Sequence, residues 1–431
     1  MDAIALFIYL LFSIIVIIPS FYDQNYIYQA PFWFTLISLG WFFPQAVGGL
    51  NKVDIYPNNA YILGMIFATL CNISFYLGWY FSYHKKHNSN VLMDLQFDDY
   101  GLYRVGATLC LIGFYFQWKL WSLPEEILTS STWSGIAVQY VFFSQVFKYG
   151  FLILWICYLR RGKWLSIEYL ILILPCLLLI LDAAIFRGRR AEMMNLVSYL
   201  IVGLWLVRGI KVPRLILVLL LGLGIIFINS IGVYRSIMKN ENLTTVQKFE
   251  QAINADYLSA NKASTRESGF EFDNYIYTRS AVGEDFDFDY GVFHWNRFVF
   301  NYIPAQLVGN DIKQSFMIDG LVDIQKKTIE KYGHSFNTGS TITGYADSFV
   351  SFGWLGFVKF LIAGLMSGWL SRHAQNNSFI GQLLFLFMLN YIMHVVTHNT
   401  NEFLVRQWVY FFVCVLPILF IVNRSYKIKF R

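Results

Sequence analysis

The chain has 431 residues, of which 56% are hydrophobic, 19% aromatic and only 14% charged, with a formal charge of +6. So apolar a composition excludes a single soluble domain with a wetted surface. No basic run interleaved with aromatics points to nucleic acid. The chain reads as an all-α polytopic membrane protein.

Apolar stretches of about 18 to 25 residues, the length needed to cross roughly 30 Å of hydrocarbon, recur with short polar gaps. About eleven spans are expected: Ala3 to Pro19, Pro31 to Leu50, Asn59 to Tyr83, Gly101 to Trp118, Gly135 to Leu159, Trp164 to Phe186, Ala191 to Val207, Leu215 to Val233, Ser348 to Leu370, Phe379 to Val396 and Phe403 to Val422. In the second, "FFPQAVGG" carries a proline and glycines and leaves re-entry open beside crossing. No basic residue precedes the first span, so it is expected to stay in the mature protein. The cysteines Cys71, Cys110, Cys157, Cys176 and Cys414 all fall inside expected spans, which supports neither disulfides nor a zinc site.

Short Lys/Arg-rich loops stay in the cytoplasm. Lys85 and Lys86, "LRRGK", "VRGIKVPR", Arg372 and the tail "NRSYKIKFR" are separated from one another by pairs of spans, so all belong to one face, the cytoplasmic one. "RGRR" (Arg187, Arg189, Arg190) lies one span away from "LRRGK" and one from "VRGIKVPR". Parity therefore puts it outside, where a topology signal does not explain it. The same parity exports the hydrophilic stretch from Arg235 to Asp347, which holds ten Lys or Arg against fourteen Asp or Glu between those two residues. Three segments follow: an N-terminal bundle over 1–234, a periplasmic loop domain over 235–347, and a C-terminal bundle over 348–431 with a basic tail.

Arg187, Arg189 and Arg190 precede or open the seventh span, where a helix start already carries about half a positive charge. A bound anion reverses that repulsion, and guanidinium forks suit phosphate oxygens. Arg235 in "GVYRS" and Arg406 in "NEFLVRQW" are expected at the same membrane level, giving a diphosphate-binding set. The bland alternative is that these arginines snorkel to headgroups or pair with Asp182, Glu192 and Glu402. Lys148 and Lys359 lie deeper in the membrane, each either functional or held by a partner such as Asp182 or a carbonyl.

Within the exported segment, "GEDFDFDYG" spaces Asp285, Asp287 and Asp289 like a DxD metal motif, a pattern common by chance, and no metal is assigned. "FHWNRFVFNYIPAQLVGN" mixes aromatics with His294, Asn296, Arg297 and Asn301. That composition suits stacking on sugar rings and equally suits an amphipathic helix lying on the membrane. Next come a Gly/Ser/Thr loop from Asn337 to Gly344, then Tyr345 and Asp347, then a span with Gly353, Gly356, Gly364 and Gly368, which allow close helix packing.

On Gly339, Ser340, Asp347, Phe352, Gly353 and Gly356, together with the span pattern, the late external loop and the arginines of "RGRRAE" and "VYRS", the chain resembles the O-antigen polymerase, or oligosaccharide repeat unit polymerase, family of bacterial envelopes. The resemblance implies a metal-independent, cofactor-free membrane glycosyltransferase of the bacterial inner membrane, active at its periplasmic face. Its partners would be an undecaprenyl-diphosphate-linked oligosaccharide, membrane lipid and a chain-length regulator protein. The chemistry needs stabilisation of the departing diphosphate by arginines and a base for the attacking hydroxyl. His334 and Asp347 are the candidate bases, and Glu192, Asn296, His398 and Glu402 the candidate substrate contacts. A ligase passing the same glycan to another acceptor, a transporter of lipid-linked oligosaccharides and a membrane acyltransferase built on His394 and His398 are the alternatives.

Overall fold

The computed structural model describes residues 1–86, 90–124, 126–127, 135–161, 166–186, 189–214, 233–234, 237–238, 240, 243–256, 270–282, 288–303, 305–319, 323–336, 340–422 and 426–428. It is all-α apart from a two-stranded antiparallel ribbon of Leu95–Phe97 with Tyr426–Ile428. Among the described residues eight helical segments are long and apolar enough to cross a membrane: Asp2–Tyr22, Ala60–Tyr83, Ile136–Arg161, Ile167–Ile185, Ala191–Arg208, Thr343–Gln375, Phe379–Thr397 and Glu402–Val422. These coincide with eight of the expected spans, and the chain is a helical membrane protein.

The other three expected spans differ. Ala30–Ile37 and Phe43–Gly49 are helices joined by a wider π turn at Ser38–Phe42, because Pro44 has no N–H to continue the regular ladder. Asp99–Trp121 is a continuous helix of 23 residues carrying Asp99, Arg104 and Lys119, and it does not reach the apolarity of the eight. Leu215 to Val233 lies outside the described residues but for its last residue.

Two compact units form, and neither is a continuous piece of chain. One comprises Met1–Lys85, Pro213–Trp369 and Tyr391–Trp408; the other comprises Lys86–Val212, Leu370–Asn390 and Val409–Arg431.

In the first unit, glycine seams set the geometry. A Cβ on Gly364 would lie 2.1 Å from Phe75 O, one on Gly368 2.5 Å from Trp79 O and one on Gly78 2.3 Å from Leu361 O. The Ala60–Tyr83 and Phe357–Gln375 helices therefore run in parallel with backbones in contact, the packing that small residues permit in lipid. Gly364→Leu is expected to lower stability by about 1–3 kcal/mol through overpacking, read as a reduced melting temperature in detergent, while Leu365→Ile on the exposed side leaves it unchanged.

The expected span from Ser348 to Leu370 is not one straight helix. The Thr343–Phe352 helix ends at Gly353, whose φ of +57° favours glycine. A short 3₁₀ turn, Gly353–Gly356, reverses the chain into Phe357–Gln375. The reversal is so tight that a Cβ on Gly356 would stand 2.1 Å from Ser348 O. Twelve residues of straight helix span about 18 Å, yet Lys359 Nζ lies 3.3 Å from Asp347 O.

In the second unit the Asp99–Trp121 and Val146–Arg161 helices run antiparallel, with Gly150 against Cys110 and Gly113 against Phe147. The cysteines are all free thiols. One end of this unit gathers the basic clusters: Arg372 Nη1 donates to Lys86 O, Arg160 to Gln382 Oε1 at 2.7 Å, Arg208 to Leu159 O, and Lys427 pairs opposite Gln96. The Arg190–Val197 helix starts at the other end. Trp155 donates to Tyr199 O and Lys148 bonds Glu192, so this helix runs alongside Val146–Arg161 and in the same direction.

Candidate functional site

Asp347 and Lys359 come together because the hairpin at Gly353 folds one onto the other. Lys359, only 5% exposed, directs its three N–H bonds to His294 Nε2 at 2.6 Å, Ser351 Oγ at 2.6 Å and Asp347 O at 3.3 Å. Its charge faces Asp347 Oδ2 at 3.6 Å. Since an ammonium only donates, His294 Nε2 accepts from it, and Nδ1 donates to Asn401 Oδ1 at 3.1 Å. Asp347, 3% exposed, accepts from Thr400 Oγ1 at 2.5 Å and from Thr400 N at 2.9 Å. The "THNTNEF" turn thus supplies the partners that a buried ion pair requires.

The same turn reaches a second polar group. Thr341 Oγ1 donates to Thr397 O at 2.5 Å, and His398 Nδ1 lies 2.7 Å from Thr397 Oγ1. Asn274 Nδ2 donates to Thr341 O at 3.0 Å and to Ser340 Oγ at 2.9 Å. A carbonyl oxygen can only accept, so that contact fixes Asn274's amide with Oδ1 turned to His334 Nε2, 2.8 Å away. His334 therefore carries its proton on Nε2 and presents the lone pair of Nδ1, which meets no donor from the described residues. Its ring stacks on Tyr277 with centroids 4.4 Å apart. Burial lowers the His334 pKa below the ordinary value; Asp273 opposes that shift and Lys52 adds to it. The ring is neutral at pH 7.

Asp273 is itself held by Lys52 Nζ at 2.7 Å and Tyr56 OH at 2.5 Å. Burial, with the Asp273 charge adding to it, pushes the Tyr56 phenol pKa far up, so Tyr56 remains a donor. Between the two polar groups Thr343 adopts φ +70°, a backbone state that costs a β-branched residue about 1–3 kcal/mol. It is kept there by close packing: a Cβ on the next residue, Gly344, would overlap Val395 O. Such strain is found where a site is held in shape.

The remaining expected site residues are placed as follows. Glu402 bonds Arg406 Nη1 at 2.7 Å and Gln407 Nε2 at 3.1 Å, so Arg406 already has an anion. Asn296 exchanges two hydrogen bonds with the backbone of Ile318, both at 2.9 Å, and is occupied in holding that segment. Glu192 accepts from Lys148 at 2.5 Å and from Asn195 at 3.1 Å; the partner of Lys148 is Glu192 and not Asp182. Arg189 is exposed at the start of its helix, with its backbone N–H donating to Ala183 O. Arg187 and Arg235 lie outside the described residues, as do Asp285, Asp287 and Gly339, and the Arg190 side chain is likewise not described. Asp289 Oδ1 accepts from Gly291 N at 2.8 Å.

Asn274, Thr400, Asn401 and Ser351 were not singled out from the chain. The dense polar composition of "THNTNEF" between two apolar runs, which holds the candidates His398 and Glu402, is a signal that applies to Thr400 and Asn401 as well. The chain matches no protein-family model, no curated protein and no solved structure.

Proposed function

We propose that the chain is a membrane-embedded glycosyltransferase that polymerises undecaprenyl-diphosphate-linked oligosaccharide repeat units at the periplasmic face of a bacterial inner membrane. The observation that carries this reading is the neutral His334, oriented by Asn274 and offering Nδ1. It lies near the Ala60 end of the Ala60–Tyr83 helix, since the neighbouring Tyr275 donates to Gly64 O at 2.6 Å, and so at the end opposite Lys85. A positive-inside chain keeps Lys85 cytoplasmic, which leaves His334 on the external side.

In the reaction His334 Nδ1 takes the proton from a sugar hydroxyl of one lipid-linked unit. The oxygen bonds the anomeric carbon of the second unit, and that carbon's bond to the diphosphate oxygen breaks with its electron pair. The departing undecaprenyl diphosphate needs cationic stabilisation, for which Arg187, Arg189, Arg190 and Arg235 are the candidates. His334 fits the base role better than Asp347, whose carboxylate is enclosed by Lys359 and Thr400. Arg406, paired with Glu402, contributes less than the other arginines. Arg187→Ala, Arg190→Ala and Arg235→Ala are expected to leave the protein inserted while cells display single repeat units. Normal long-chain glycan in all three variants rules out the diphosphate role.

One observation favours a second reading, transport of the lipid-linked oligosaccharide. Broken helices that bring buried charges together at their breaks, as at Gly353 and at 398–401, also build transporter sites. Reconstituted vesicles given lipid-linked repeat units separate the two: polymerisation yields a ladder of lengthened glycan, transport yields only single units on the far leaflet.

A further inference from the structure

The helix Val292–Tyr302 and the short helix Asn310–Ser315 form a hairpin that exposes five large apolar side chains beside polar ones such as Arg297, Asp311 and Gln314. Trp295 is 44% exposed, Phe300 50%, Ile312 52%, Phe316 47% and Ile318 48%. The two limbs are locked together by Trp295 Nε1 donating to Phe316 O at 2.7 Å, by the Asn296 amide against Ile318, and by Lys313 Nζ donating to Phe300 O at 2.9 Å. In water this is a costly surface, and its exposure marks a contact with something apolar.

Depth identifies the contact. Backbone bonds from Asp289 N to Val350 O and from Tyr290 N to Ser351 O, 3.0 and 3.1 Å long, fasten the start of the hairpin to the Thr343–Phe352 helix. His294 is bonded to Lys359 and Asn401, and Tyr302 OH donates to Arg406 O. The helix to which the hairpin is fastened sits below the bundle's rim: Phe349 and Trp354 pack on Phe67, with centroids 5.1 and 5.8 Å apart, and Tyr345 OH donates to Asn72 Oδ1. Phe67 is seven residues into the Ala60–Tyr83 helix, about 10 Å along it at 1.5 Å per residue. A segment tied at that level is beside the membrane bundle and not above it.

We infer that the 290–318 hairpin lies within the lipid leaflet on the side opposite Lys85, with Trp295, Phe300, Ile312, Phe316 and Ile318 in contact with the headgroup–acyl boundary. The occupant of the apolar face is phospholipid. Arg297, over the Phe293 ring at 5.4 Å, and Lys313, over the Phe300 ring at 4.7 Å, give the aromatic-plus-cation composition of an interfacial helix. This inference is independent of the proposed transferase activity.

The test uses full-length protein with its five cysteines replaced by alanine, reconstituted in phosphatidylethanolamine–phosphatidylglycerol vesicles containing acyl-chain nitroxide lipid. Phe300→Cys, Phe316→Cys and, as a further position in the same patch, Ile312→Cys are labelled with an environment-sensitive fluorophore. Lys326→Cys on the Ile324–Tyr332 helix is the aqueous control. Blue-shifted emission and nitroxide quenching are expected at the three hairpin positions in monodisperse protein, and neither at 326. Quenching no greater than the control at all three overturns the inference, whether the labels then report water or the shelter of a protein partner.

Discussion

Lys359→Met is expected to destabilise the protein by about 3–5 kcal/mol, the cost of leaving one member of a buried ion pair without the other. Asp347 is then left in a site that is 3% exposed without its cation, with Thr400 as its remaining donor, while His294 Nε2 and Ser351 Oγ lose theirs. The double variant Asp347→Leu, Lys359→Met removes the orphaned charge and is expected to recover part of the loss. It does not recover all, because His294 Nε2 and Ser351 Oγ have lost the lysine as donor, and Thr400 N–H and Oγ1 have lost the carboxylate as acceptor. Thermal unfolding of the four proteins in detergent measures the cycle. Simple additivity of the two single losses means that the carboxylate and the ammonium are not a pair. The consequence would reach beyond stability, since these side chains join Thr343–Phe352, Phe357–Gln375 and the 397–402 turn into one body.

Much of this could be read from residues and some could not. The apolar runs announced eight helices at nearly the right bounds, because a span has to exceed a fixed length to cross hydrocarbon. Lys359 stood out as a charge within an apolar run, and Asp347 as an acid after a polar loop. Their pairing was hidden, because residues twelve apart in a helix are far apart unless the helix breaks. The break was present in the letters as Gly353 and Gly356, but those glycines were read as packing positions, which Gly364 and Gly368 are. Close approach and chain reversal call for the same residue. Glu192 and Glu402 stood out as acids near arginines; Arg406 follows from helix register as the i,i+4 partner of Glu402, whereas Lys148 reaches Glu192 only through the packing of two helices. Asn274 carried no signal at all. It sits in "FEFDNYIY" without periodicity or spacing to His334, and only folding brings its amide to that ring.

His334→Ala is expected to reduce glycan transfer by roughly 10²–10⁴-fold, the usual contribution of a general base, in a protein that accumulates and unfolds as the wild type does. The pH profile separates this role from mere packing against Tyr277. Burial holds the His334 pKa below its ordinary value near 6.5. The neutral base is therefore fully present at pH 7, and activity is lost only as pH falls through that lowered value. Asn274→Asp sets a carboxylate against Nε2–H, which favours the charged imidazole and raises its pKa. The acid limb of the profile must then move to higher pH, with transfer restored at alkaline pH. Asn274→Ala leaves the ring without the partner that fixes its tautomer, so the rate falls across the whole range with little movement of the limb. Titration of carbon-13-labelled histidine by NMR, with the His334 signal assigned by its loss in His334→Ala, follows the pKa independently of catalysis. If that signal moves in Asn274→Asp while the activity limb does not, His334 is coupled to Asn274 but is not the base, and the proton of the attacking hydroxyl goes elsewhere.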